Sequence, residues 1–176
     1  MTANLAAALG RADWEQAARD RCEQALAGLD TLRAAFQMPA HGTDPDVVHE
    51  RLTQLRGALD QADTVMDELA RFRGELRRIS RDKARAADEA YDAELDRLAK
   101  RAVTREYESI RDREVQARVK VLELRQAANA AQRLADVADE AWDRAKSRYF
   151  TLKDLRRELI VTLEYFVPWE RSIERT

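Results

Sequence analysis

The chain has 176 residues, of which 36% are charged and only 6% aromatic, a composition that suits long helices and excludes a sandwich or an α/β fold. Its net charge is −2, but residues 1–70 carry 6 basic and 12 acidic side chains and residues 71–176 carry 25 and 21, which points to complementarity between helices or to one basic surface for an acidic partner. A single cysteine, Cys22, excludes an intramolecular disulfide framework, and with only two histidines, His41 and His49, no His/Cys metal site or metal cofactor is expected.

Residues 3–36 are predicted to form a first helix, with Cys22, Leu26, Leu29, Leu32 and Phe36 recurring every three or four positions as an apolar stripe. Residues 37–44, with Pro39 and Gly42, are the predicted linker. The next start is well marked. Asp44 suits an N-cap, Pro45 the first helical position, and Asp46 complements the positive helix terminus.

From there the chain lacks the residues that stop helices: no proline occurs between Pro45 and Pro168, and no glycine follows Gly74. An ascending helix is predicted over 45–102. Val48, Leu52, Leu55, Leu59, Ala62, Met66 and Leu69 form its a/d seam, and Leu76 keeps the register. Beyond Ile79 the seam becomes lean, with Ala84, Ala87, Tyr91, Leu95, Leu98 and Ala102.

One helix over all 122 residues from 46 to 167 would be about 180 Å long, so the chain is expected to reverse. Thr104, Ser109 with Asp112 three residues later, and Ser80 compete as breakpoints. Thr104 gives two arms of matching length and is preferred, leaving a descending helix over 104–167 and a short tail over 168–176. Its stripe runs through Leu134, Ala138, Ala141, Ala145, Tyr149, Leu152, Leu155, Leu159, Leu163 and Phe166, and Trp142, Phe150, Ile160 and Val161 widen it near the end. A wider stripe needs a second neighbour, which the first helix can supply. The expected fold is a single all-α domain over 1–176: a long antiparallel helical hairpin with the N-terminal helix packed at its base, giving a three-helix bundle base and a two-helix coiled-coil arm.

The richest apolar run, Leu159 to Leu163, is flanked by Glu158 and Glu164 and is far shorter than the ~20 residues needed to span a bilayer. Met1-Thr2-Ala3-Asn4 has no basic region ahead of an apolar stretch, so a cytoplasmic protein is expected.

Two segments stand out as candidate surfaces. Arg71, Arg73, Arg77, Arg78, Arg81, Lys83 and Arg85 form a basic belt whose only acidic residues are Glu75 and Asp82. In the hairpin register it faces the small, neutral segment Gln126 to Gln132, which would leave the arginine heads in water, as contact with nucleic-acid phosphates requires. The plainer reading, a solvated face with Arg stems laid over Ala methyls, is favoured because no aromatic run interleaves with the belt to stack bases. The predicted tip carries Val103, Thr104, Arg105 and Tyr107; Val103 and Tyr107 are an apolar pair in water that can insert into a partner, and ordinary helix-terminus chemistry is the favoured, plainer reading. A second basic cluster, Arg144, Lys146, Arg148, Lys153, Arg156 and Arg157, lies opposite Glu50, Asp60, Asp63, Asp67 and Glu68 and is read as interhelical pairing. Cys22 is read as a small core residue and His49 as an exposed one. No Ser/His/Asp set, phosphate loop or paired-carboxylate motif can be assembled, so neither catalysis nor a small-molecule substrate is expected.

The stretch from Asp82 to Phe166, with Asp88-Glu89-Ala90-Tyr91, Val103-Thr104-Arg105-Glu106 and Leu155-Arg156-Arg157-Glu158-Leu159, resembles small helical-hairpin proteins encoded by phages of actinobacteria. The resemblance implies a phage or prophage origin and transfers no site residues. The expectation for function is a non-enzymatic interaction or assembly protein docking on a protein partner, or on a second copy, through the arm or its tip. The alternative is a nucleic-acid-binding accessory protein using the basic belt.

Overall fold

The computed structural model describes residues 11–36, 44–102 and 109–173, with side chains over 14–36, 44–100 and 109–164. Within them the protein is all-α, with helices α1 (Arg11–Ala34), α2 (Pro45–Ala102), α3 (Ile110–Lys120) and α4 (Leu122–Ile173) and no strand. None of these helices is long and apolar enough to cross a membrane.

The start of α2 is fixed by local chemistry. The Asp44 carboxylate accepts from the Asp46 N–H at 2.9 Å, and the Asp44 carbonyl accepts from Val47 and Val48 at 3.0 and 3.2 Å. Two otherwise unpaired donors of the first turn are thereby shared out around a proline that has no N–H to lose. The helix then runs through Ser80 without interruption, so the chain does not reverse there. The reversal preferred at Thr104 lies outside the described residues.

Four helix boundaries depart from the sequence reading. Among the described residues the descending segment begins at Ile110, capped by Ser109, the second of the three candidate breakpoints, rather than at 104. The first helix ends at Ala34 rather than Phe36, with Ala35 in a turn. The descending segment is two helices, divided at Val121, whose φ of −98° and ψ of 9° leave the helical region. Hydrogen bonds from Val121 to the Ala117 carbonyl (3.1 Å) and from Arg125 to the Val121 carbonyl (3.0 Å) span the break. The β-branched residues Val119 and Val121 lie at the division, where they lower helix propensity slightly. Finally, α4 continues past Pro168 to Ile173, although proline leaves the carbonyl four residues earlier without its donor.

The chain divides into two compact units, one formed by Met1–Arg71 with Asp139–Thr176 and the other by Phe72–Ala138. In the first, α1, the first half of α2 and the last part of α4 enclose a core of large side chains. Leu29, Val48, Leu55 and Leu152 are fully buried, and Leu59, Met66, Leu69 and Leu159 nearly so. Leu52 and Leu32, expected in the stripes, are only half-buried. Arg148 donates to Asp30 on α1 at 2.6 Å, and the Tyr149 hydroxyl donates to Asp63 on α2. Lys146 and Arg144 instead pair with Asp143 and Glu140 on their own helix, at 3.7 and 3.5 Å. The second basic cluster therefore serves α1 and its own helix more than the acids of α2, because Lys146 and Arg144 find a carboxylate within one turn.

In the second unit the core is lean: Leu76, Ala87 and Leu98 on α2, Ala117 on α3, then Val121, and Ala130, Ala131, Leu134, Ala135 and Ala138 on α4. Ala84 is exposed while Ala87 is buried, because the seam steps seven residues from Ser80 and leaves Ala84 outside it. The two long helices run antiparallel here: Ser80 donates to Gln132 at 2.7 Å, and further along α2 Tyr91 lies under the Arg125 guanidinium at 4.8 Å, so numbers rise on one helix as they fall on the other. Alanines on α4 let the backbones approach, and leucines on α2 fill the remaining space.

Candidate interaction surface

Helix α3 begins at a complete N-cap. Ser109 is extended, at φ −67° and ψ 154°; its hydroxyl accepts from the Asp112 N–H at 3.1 Å and donates to the Asp112 carboxylate at 2.6 Å. Asp112 complements the positive end of the helix and Arg118 and Lys120 the negative end. An 11-residue helix is marginal alone, so these devices and the burial of Ala117 hold it.

Ala117 and Val121 are buried, at 0% and 3% exposure, whereas Val115, Val119 and Leu122 are 52%, 68% and 52% exposed. At about 100° per residue, the second set points roughly 150° away from the first. This short stretch thus has two apolar faces, one packed inside the unit and one turned to water. Ile110 and Leu124 are exposed too, but at about 100° per residue they fall on the other side of the helix from this row. Arg118 and Glu123 flank the Val115–Val119–Leu122 row, and both are exposed. Arg118 reaches Glu114 on its own helix only at 3.8 Å.

The tip residues Val103, Thr104, Arg105 and Tyr107 lie outside the described residues. Of the basic belt, Arg71 belongs to the first unit and is exposed. The other six lie in the second unit, where Arg73 is half-buried and Arg77, Arg78, Arg81, Lys83 and Arg85 are exposed. Arg77, Arg78, Arg81 and Arg85 share one side of α2 within an arc of about 100°, and Lys83 falls on another. Arg85 is paired with Glu89 at 2.7 Å, and Arg81 donates to the Arg77 carbonyl at 3.3 Å. Arg78 and Lys83 have no ion-pair partner among the described residues.

Cys22 is buried on α1, and burial pushes its thiol up from the ordinary range, which keeps it protonated and unreactive at neutral pH. His49 is exposed. Among the described residues no cluster of His, Cys, Asp and Glu is placed to hold a metal ion.

These elements define an all-α protein of packed helices whose most distinctive surface is an apolar row on a short capped helix. No protein-family model, no curated protein and no solved structure matches the chain.

Proposed function

We propose that the protein is a non-enzymatic interaction and assembly protein that docks on a protein partner through the outer face of α3 and the start of α4. One observation carries this reading. Eight large apolar side chains are exposed among the described residues; five of them fall between 110 and 124, and three of those, Val115, Val119 and Leu122, share one face. Scattered exposed apolar residues need no explanation, but a contiguous row does, because it costs solubility unless something covers it. A phage setting, with a virion or host-cytoplasm location, belongs to the proposal on the strength of the resemblance over residues 82–166 alone.

The test is an apolar fluorescent dye titrated against protein at about 2 µM, too dilute for weak self-association to cover the face. Saturable dye binding that falls several-fold in Val115→Lys/Val119→Lys, with helical content unchanged, supports the reading. Dye binding that is absent, or unaltered by the double substitution, removes it.

A second reading, nucleic-acid binding by the belt, is favoured by Arg78 and Lys83, which are exposed and unpaired among the described residues. A gel shift titrated against salt decides it. Binding that weakens steeply with salt and is lost in Arg77→Glu/Arg78→Glu supports the reading, and no binding at low salt removes it.

A further inference from the structure

We infer that the occupant of the α3 face is a second copy of the chain, docked parallel to the first about a two-fold axis running along α3; this rests on the docking reading above. Val115, Val119 and Leu122 are spaced four and three, the d–a–d step of a two-stranded seam; the bonds from Val121 to Ala117 and from Arg125 to Val121 carry that register past the division at Val121, and in a parallel pair each such residue meets its own copy. Asp112, its carboxylate engaged by the Ser109 hydroxyl, falls at the next a position, where it would face its own copy, so the apolar seam stops short of it; the exposed Gln126 ends the seam on the other side.

Charge chooses the orientation. In this register Arg111, Arg118 and Arg125 fall at the g positions, and Gln116 and Glu123 at e. An antiparallel pair sets g against g, which puts the exposed Arg111 and Arg118 on a flank of like charge, Arg125 being held on Tyr91, and gives Glu123 no basic partner at g. A parallel pair sets g against the e position five residues on in the other strand, so Arg118 of each copy meets Glu123 of the other. Two-fold symmetry makes that contact twice. The competing bond from Arg118 to Glu114 is long, at 3.8 Å, and both side chains are well exposed, so little is lost by exchanging it.

Three apolar layers extend over only about 11 Å of helix, too short a seam to bury the ~800 Å² per partner of a standard-size stable interface. The dimer is therefore weak: monomer at about 5 µM and a growing dimer fraction towards about 500 µM.

The experiment uses the full chain with Cys22→Ala, so that each introduced cysteine is the only thiol. Val115→Cys and Leu122→Cys are oxidised separately and as a mixture, beside a sedimentation series of the unaltered protein. The expected result is a disulfide-linked dimer from each variant alone. Adding Arg118→Glu should cut that yield several-fold, and combining Arg118→Glu with Glu123→Arg should restore it. Crosslinking that appears only in the mixture overturns the parallel arrangement. A monomer at about 500 µM with no crosslink overturns the second copy altogether. Neither outcome touches the docking reading, which the dye titration tests on dilute protein.

Discussion

The two units contrast in what they place inside. The first packs Leu29, Leu55, Leu59, Met66 and Leu152 among three helices, while the second relies on Ala87, Ala117, Ala130, Ala131 and Ala135 with a few leucines and one buried hydroxyl, Ser80. Large side chains remove more apolar area from water, so the first unit holds most of the hydrophobic stabilisation per residue. Alanines contribute less area but let helix backbones approach closely. A thin seam of small residues is also poor at fixing register, because sliding one alanine past another changes little. The Ser80–Gln132 bond supplies what the alanines lack: a slipped register would leave a buried hydroxyl without its acceptor. The lean unit also carries most of the exposed apolar surface, so the region with the thinnest interior is the one with an outer face left to cover.

Core truncation should give the largest effect. Leu55→Ala is expected to cost the upper part of about 2–5 kcal/mol and Leu76→Ala the lower part, since a seam between two helices can collapse around a cavity more fully than a three-helix core. Denaturant midpoints of the two variants check this, and equal losses would break the contrast. The next effect isolates the polar lock. Gln132→Leu should cost about 1–3 kcal/mol by leaving the Ser80 hydroxyl buried and unpaired, whereas Ser80→Ala combined with Gln132→Leu should recover most of that loss. A double-mutant cycle reads the coupling, and additive losses would show that Ser80 does not set register. The smallest effect has the opposite sign. Gly57 and Gly74 lie inside α2 with nothing within 4 Å of a would-be Cβ. Gly57→Ala and Gly74→Ala should therefore each raise stability by about 0.5–1 kcal/mol, seen as a higher melting temperature.

Much of the fold was written in local chemistry. Asp44 and Pro45 mark the start of α2, and Val48, Leu55, Leu59, Ala62, Met66, Leu69 and Leu76 are all buried along the predicted seam. Ser80 was harder. A serine at a seam position reads equally well as a helix start or as a buried hydroxyl, and only its long-range partner Gln132 separates the two. The division at Val121 has no breaker residue behind it: β-branched Val119 and Val121 lie there, yet Ile160-Val161-Thr162 carries three such residues in a row without a break, so the sequence does not mark the place. The candidate surface was legible only in fragments. Ile110 and Val115 are apolar residues in a stretch otherwise rich in charge, but the row Val115–Val119–Leu122 is not distinguishable from a core stripe until Ala117 and Val121 are seen to occupy the inside. Two apolar faces on one short helix blur the periodicity that would reveal either alone.

Cys22 has a use that its burial creates. It is the protein's sole thiol, it sits on α1 at 3% exposure, and burial holds it in the protonated form. An alkylating reagent can meet it as a thiolate only when that part of the first unit opens, so the rate of modification, compared with that of the unfolded chain, reports the free energy of opening. The chain thus carries a built-in gauge of local unfolding, readable without adding a label and placed in the unit that lacks the proposed contact face.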